Sequence, residues 1–316
     1  MLSSSQQKLN FHFKSAVKND SLRQCYIIKG EKGLGKKYVT QSISEYIMCE
    51  NGDACGKCNS CLSLKAFANP DVYKVSNGDK KTIEVDKIRA LIKEVYIKPV
   101  MGKYKLFIIE NAHLMDAPPQ NALLKVIEEP PPYAVFVLIC DNLNTILPTI
   151  LSRAHVLSLD AWTLDELKSV HPLLSEDEYM YTYSMGNIGL LKSVSSDEDF
   201  KYIRNGVIEG FVKMMLSDET ALYEALDFWL KNKDYKESMI NILVMFVRDV
   251  MLFKNSLRDE IANTDKLKEI QSVSDKVTAQ KSYNMLCIAN DALRKMGKYG
   301  NFGMAAHALL MQLGQT

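Results

Sequence analysis

Leu106-Phe107-Ile108-Ile109 is a run of large apolar residues that stops abruptly on the polar pair Glu110-Asn111. So short a run, closed in this way, predicts a strand buried on both faces that delivers an acidic side chain to its C-terminal edge. Burial on both faces requires a parallel sheet covered by helices on either side, and in such sheets ligands sit at the carboxyl edge. The residues that follow keep to this plan. Gln120 to Glu129 carries a helical apolar stripe and is stopped by Pro130-Pro131-Pro132. Ala134 to Cys140 reads as a second buried strand, and Leu147 to Arg153 returns the chain toward the sheet.

The same alternation begins earlier. Gln6 to Asn19 reads as an opening helix, and Gln24 to Ile28 as a strand feeding Gly30-Glu31-Lys32-Gly33-Leu34-Gly35-Lys36-Lys37. A helix from Tyr38 to Met48 follows directly. Strand, Gly-rich turn and helix in this order form the context of a phosphate-binding loop, in which backbone N–H groups and a helix N-terminus hold phosphate oxygens. Gly30, Gly33, Gly35 and Lys36 are the candidate nucleotide-binding residues, and Gly30, Gly35 and Lys36 fit G-x-x-x-x-G-K. The position after the lysine normally supplies a hydroxyl to Mg²⁺. Here it is Lys37, whose ammonium group repels the metal, so the cradle is expected to be degenerate and can be empty.

Four of the seven cysteines cluster as Cys49-x5-Cys55-x2-Cys58-x2-Cys61. Four thiolates at this spacing make a closed tetrahedral Zn²⁺ site with no position for water, hence structural rather than catalytic. Such a cluster also argues for a reducing cytoplasm rather than for disulfides. The module is expected to staple a loop that protrudes from the sheet, without touching nucleic acid. Cys25, Cys140 and Cys287 stand alone in apolar contexts and are expected to be buried.

Beyond Asp160 the pattern becomes helical throughout. Asp71 to Val75 and Ile83 to Ile97 are the last strand and helix to be placed before that point. The division expected is 1–160 for the sheet domain with the cysteine module 49–61, 161–199 for a small helical lid, and 200–316 for an all-α bundle. Bundle helices are expected near Tyr202–Met215, Glu219–Lys231, Tyr235–Asn255, Asp265–Arg294 with breaks, and Gly303–Leu313. A formal net charge of +1 excludes a bulk polycation, so nucleic-acid contact has to come from a local patch or from an assembly. The basic residues Lys80-Lys81, Lys98, Lys103 and Lys105 read as a solvated face. His113 has no inferable proton-transfer partner and receives no role. The opening Met1-Leu2-Ser3-Ser4-Ser5 is polar, and no apolar stretch is long enough to span a bilayer, so neither signal peptide nor membrane anchor is expected.

Tyr104 to His113, Asn121 to Pro131 and Thr149-Ile150-Leu151-Ser152-Arg153 together resemble the clamp-loader branch of the AAA+ ATPases. The cysteine module with Asn69-Pro70-Asp71 is similar to the zinc insertion of bacterial members, with Asn69 where His is common. The resemblance covers about Gln6 to Asn205. It implies an AAA+ sheet domain with a zinc knuckle, a lid and a C-terminal oligomerisation collar, in a bacterial cytoplasmic protein. By the same resemblance Glu110 stands at the metal-supporting acid, Asn111 at the water-activating Glu, and Gly189 at an Arg that would sense the γ-phosphate. An amide cannot take a proton from water. No intrinsic ATPase is therefore expected, and membership of a DNA polymerase holoenzyme would be by assembly.

The resemblance further implies that Arg153 acts in trans as an arginine finger on a neighbouring subunit's ATP site. The partners implied are tau/gamma and delta subunits in a pentamer, with the sliding clamp and primer-template DNA reached through the complex. The alternatives are an active tau/gamma-type ATPase and a zinc-dependent DNA-binding module. Turnover by the isolated chain and salt-dependent DNA affinity, respectively, separate them from the reading without intrinsic ATPase.

Overall fold

The computed structural model describes residues 2–78, 80–216, 220–295 and 301–315. The chain divides into two compact units, 1–170 with 186–189, and 171–185 with 190–316.

In the first unit, α1 (Ser4–Lys18) leads into β1 (Cys25–Lys29) and α2 (Lys36–Met48). Next come α3 (Asn59–Lys65), β2 (Val72–Val75), α4 (Val85–Val95) and β3 (Lys105–Ile109). The unit continues through α5 (Ala117–Glu128), β4 (Ala134–Cys140), α6 (Pro148–Leu151), β5 (His155–Ser158) and α7 (Leu164–Val170). The strands form one sheet in the order β2-β3-β4-β1-β5, with every neighbouring pair parallel.

Both faces are covered, which is why the central strands carry no polar alternation. Phe107, Ile109, Phe136, Leu138 and Ile27 share one core with Ile88 and Leu91 of α4 and Leu123 and Val126 of α5. Leu106, Ile108, Val135, Val137, Tyr26 and Ile28 share the other with Phe13 of α1 and Val39 and Ile43 of α2. Phe107 and Phe136 stack across β3 and β4 at 5.2 Å between ring centroids. Truncating such a side chain to alanine costs about 3–5 kcal/mol. α5 carries proline in its first turn, where no helical N–H is lost, and ends ahead of Pro130.

The second unit holds α8 (Tyr179–Ser184), most of α9 (Ile188–Ser196), α10 (Glu198–Leu216), α11 (Thr220–Lys231), α12 (Lys236–Lys254), α13 (Leu267–Lys276), α14 (Ala279–Lys295) and α15 (Phe302–Gln315). The expected start of the second bundle helix at Glu219 lies outside the described residues. A buried polar chain runs through this unit. Arg204 of α10 holds Asp265 with both terminal nitrogens, at 2.9 and 2.7 Å, and Asn263 Oδ1 at 2.7 Å. Asn263 Nδ2 donates to Asp249 Oδ2 of α12 at 2.7 Å. The Arg204 guanidinium lies over the Tyr179 ring, 3.5 Å from its centre. Burial pushes the Asp249 carboxyl above the usual carboxylate range, against the N–H bonds of Asn263 and Ala262.

Lys105, read as part of a solvated face, is buried: it opens β3, and its ammonium turns onto Glu94 O at 3.0 Å and Glu94 Oε2 at 3.2 Å. Cys287, expected to be buried, is exposed. Met285, Ala289 and Ala292 set the inward face of α14, and Cys287 falls two residues off that stripe. Among the described residues, no helix is long and apolar enough to cross a membrane.

Candidate functional site

The residues expected to carry chemistry gather in three places on the first unit. The cysteine module is the most compact. Cys49 caps α2, Cys55 lies in the following turn, and Cys58 and Cys61 bracket the start of α3. Positive φ at Ala54 and Gly56 folds the connection back on itself. Cys55 N–H donates to the Cys49 sulfur, Cys58 N–H to that of Cys55, and Cys61 N–H to that of Cys58, each at 3.4 Å.

All four sulfur atoms lie within 4.8 Å of one another and can hold a metal ion. Tetrahedral ligands at the usual metal–sulfur length of about 2.3 Å stand about 3.8 Å apart, so the donor set is of the right size. N–H bonds from Lys57 and Cys58 lower the Cys55 thiol pKa. At Cys58 burial works upward but is outweighed by N–H bonds from Glu50 and Cys61, so the thiol is lowered too. Burial, the largest influence on Cys61, raises that one.

Asn69 closes the module onto the sheet. Its amide donates to Ser60 O at 3.2 Å and Ser60 Oγ at 3.0 Å, and its oxygen accepts from Asp71 N–H at 2.9 Å. Asp71 is buried and takes the N–H groups of Val100 and Met101, both at 2.7 Å. Asn69 thus braces the module, and none of these bonds involves the four thiols.

The second place is the carboxyl edge of the sheet. The loop between β1 and α2 has the left-handed turns that its sequence requires, with φ of +95° at Gly33 and +87° at Gly35. Lys36 is buried. Its ammonium donates to Gly30 O and to Glu31 O, the latter at 2.7 Å, and pairs with Asp141 Oδ1 at 2.8 Å. Asp141 directly follows β4 and was not singled out from sequence. The signal was available, since it closes an apolar run as Glu110 closes β3. His113 joins the same cluster, its Nδ1 accepting from Asp141 N–H at 3.2 Å.

Lys37 Nζ lies 3.0 Å from Glu110 Oε2, so the ammonium after the loop lysine sits on the acid at the end of β3. Asn111 takes a left-handed conformation, φ +54°, which asparagine tolerates better than glutamate. Its amide donates to Asn77 Oδ1 at 2.9 Å.

The third place is the end of α6. Arg153 is half-exposed, pairs with Glu128 Oε1 at 3.0 Å, and donates to Thr149 O at 3.1 Å and Ser152 Oγ at 3.2 Å. Gln120, unremarked in the sequence, links this element to the rest. Its amide donates to Met115 O and Thr145 O, and its oxygen accepts from Leu147 N–H at the N-terminus of α6.

A parallel sheet whose phosphate loop lies between β1 and α2, with acidic residues closing β3 and β4, defines the P-loop class in its AAA+ form. Residues 5–163 match the family model described as DNA polymerase III, delta subunit, and residues 198–312 the model of that family's C-terminal region.

The delta-prime subunit of DNA polymerase III from Bacillus subtilis is 25% identical, over 94% of this chain and 93% of that protein. The gamma/tau subunit of Mycoplasma genitalium is 34% identical over 44% of this chain and 24% of that protein. Among solved structures, a gamma subunit-related protein from Thermotoga maritima aligns with a TM-score of 0.42 and 17% identity, over 97% of this chain and 98% of that one. The chain belongs to the DNA polymerase III delta subunit family, among its delta-prime-type clamp-loader members.

Proposed function

We propose that the chain is a non-hydrolysing, cytoplasmic clamp-loader subunit. It assembles with tau/gamma and delta subunits into a pentamer that places the sliding clamp on primed DNA. The division 1–160, 161–199 and 200–316 assigns it a sheet domain, a lid and an oligomerisation collar, and Cys49, Cys55, Cys58 and Cys61 hold one structural Zn²⁺. The observation that carries the non-hydrolysing reading is the Lys37–Glu110 ion pair beside Asn111. A cation fixed to the protein stands on the acid that would support Mg²⁺, and the adjacent amide bonds Asn77 and cannot act as a base.

Arg153 is read as the finger that completes a neighbouring tau/gamma site in trans. Its half-exposed guanidinium, two residues past a short helix braced through Gln120, supports this reading. An arginine finger supplies on the order of 10³ or more in rate to the site it serves. The test is steady-state ATP hydrolysis by a loader reconstituted with tau/gamma and delta. Arg153→Ala lowers, without abolishing, clamp- and DNA-stimulated turnover while assembly persists. Arg153→Lys restores it only in part, because an ammonium lacks the planar fork. Wild-type rates for Arg153→Ala make the residue an ordinary surface arginine. ATP turnover by the isolated chain that Lys36→Ala abolishes refutes the non-hydrolysing reading.

A further inference from the structure

The phosphate loop is in direct backbone contact with residues 186–189, the segment that opens α9. Gly189 N–H donates to Gly33 O at 3.0 Å, and Asn187 Nδ2 donates to Lys32 O at 2.6 Å. The approach leaves no room for side chains. A Cβ on Gly189 would stand 2.7 Å from Gly33 Cα and 2.9 Å from Gly33 O, and one on Gly33 would stand 2.1 Å from Asn187 Oδ1. On the opposite wall, Gln6 Nε2 donates to Leu34 O at 3.1 Å and lies 2.6 Å from where a Gly35 Cβ would be.

At the end of the loop Lys36 is engaged with two carbonyls and Asp141, and Lys37 with Glu110. The carbonyls of Lys32 and Gly33 serve as acceptors for a distant segment, and the charges of Lys36 and Lys37 each meet a carboxylate.

We propose that the phosphate loop of this chain is a structural latch: it holds residues 186–189 through the Gly189–Gly33 and Asn187–Lys32 hydrogen bonds, and does so without nucleotide or metal. Glycine at 189 is a requirement of that contact, because any side chain there drives the two backbones apart. The two hydrogen bonds support one another, so loosening either segment frees the other.

The inference bears on the non-hydrolysing reading without depending on Arg153, and the two fail separately. Turnover is decided by Lys37 and Asn111, whereas the latch is decided by the backbone contact. The test is amide hydrogen exchange on the full chain, read over 30–37 and 186–192, with and without ATP and Mg²⁺. In the wild type both segments are protected and ATP with Mg²⁺ changes neither.

Gly189→Ala accelerates exchange in both by about tenfold or more, the scale set by losing a hydrogen bond in a locally opening segment. Asn187→Ala adds no bulk and gives a smaller rise in both together, while protection across β3 and β4 stays at the wild-type level. Unchanged exchange in both variants overturns the latch. So does a rise in one segment alone, or a change in the wild type on adding ATP and Mg²⁺. ATP hydrolysis measured on the same samples reports on the non-hydrolysing reading alone: turnover refutes that reading whatever the exchange shows, and a failed latch without turnover leaves it standing.

Discussion

The cysteine module and the phosphate loop are both short, glycine-bearing turns on the same unit, yet they handle their polar groups in opposite ways. In the module, four sulfur atoms converge within 4.8 Å, and their nearest donors are the N–H groups of the turn itself. At Cys55 and Cys58 those donors favour the thiolate, the form that a metal ion takes. In the phosphate loop, Lys36 and Lys37 each have a carboxylate and the carbonyls of Lys32 and Gly33 have donors. One turn gathers four donor atoms that can hold a metal ion, and the other pairs its last two lysines with the carboxylates that close β3 and β4. Glycine spacing alone does not distinguish these cases. What distinguishes them is whether the charges that the turn gathers are neutralised from within.

The contrast can be broken most forcefully at the module. Cys58→Ser removes one of four thiolates from a site whose binding free energy for Zn²⁺ is on the order of 10 kcal/mol. Elemental analysis of the wild type is expected to find one Zn²⁺ per chain, and the variant much less. Exchange protection over 49–65 collapses in the variant while the sheet stays folded. Freely reactive thiols and no metal in the wild type place the module with the self-satisfied turns and dissolve the comparison.

Lys36 supplies the next largest effect. If its ammonium is a structural tie, Lys36→Met strands the buried Gly30 carbonyl, leaves the partly buried Asp141 without its cation, and costs about 2–3 kcal/mol in a denaturant titration. A residue waiting for phosphate would cost far less, and an unchanged midpoint would reclassify the loop as an open ligand site.

Asp249 offers a smaller test of the same rule in the second unit. Burial raises its pKa, so the folded protein binds this proton more tightly than the unfolded chain does. The resulting stabilisation is fully present below the ordinary carboxylate pKa and is lost as pH rises through the raised folded value. Asp249 Oδ1 is buried without a hydrogen-bond donor. Asp249→Asn removes that charge and should flatten the pH dependence of the unfolding midpoint, leaving stability at pH 7 within about 1 kcal/mol of wild type. A large loss at pH 7 would show that the ionised carboxylate is needed by Asn263.

The smallest effect belongs to Lys37→Thr. Lys37 is largely exposed, and a surface pair contributes little, so stability is expected to stay near wild type. Turnover is expected to stay absent, because Asn111 still provides no base. Hydrolysis appearing on this single change would mean that the amide is not the barrier.

The features legible in the chain are those whose cause is local. Leu106–Ile109 and Ala134–Cys140 announce buried strands by continuous apolar character, and both are buried throughout. Gly33 and Gly35 mark a turn whose positive φ other residues resist. The spacing Cys49, Cys55, Cys58, Cys61 brings four thiols together within a few turns of chain, so its convergence needs little help from the rest of the fold. The helical character beyond residue 163 follows from periodicity in the same way, down to α14, where Cys287 misses the apolar stripe by two residues and is exposed.

Other features depend on residues that only the tertiary structure makes neighbours. Periodicity could not tell that Asp141 meets Lys36, or that Glu110 meets Lys37. Nor could it tell that Arg204 would be buried among Tyr179, Asn263 and Asp265. A sequence motif states which groups a turn presents. Whether they remain available is an electrostatic and steric question, answered by what packs against them. Asn187 lies 155 residues from the Lys32 carbonyl that it occupies. The motif therefore specified the phosphate loop, and packing from distant segments closed it.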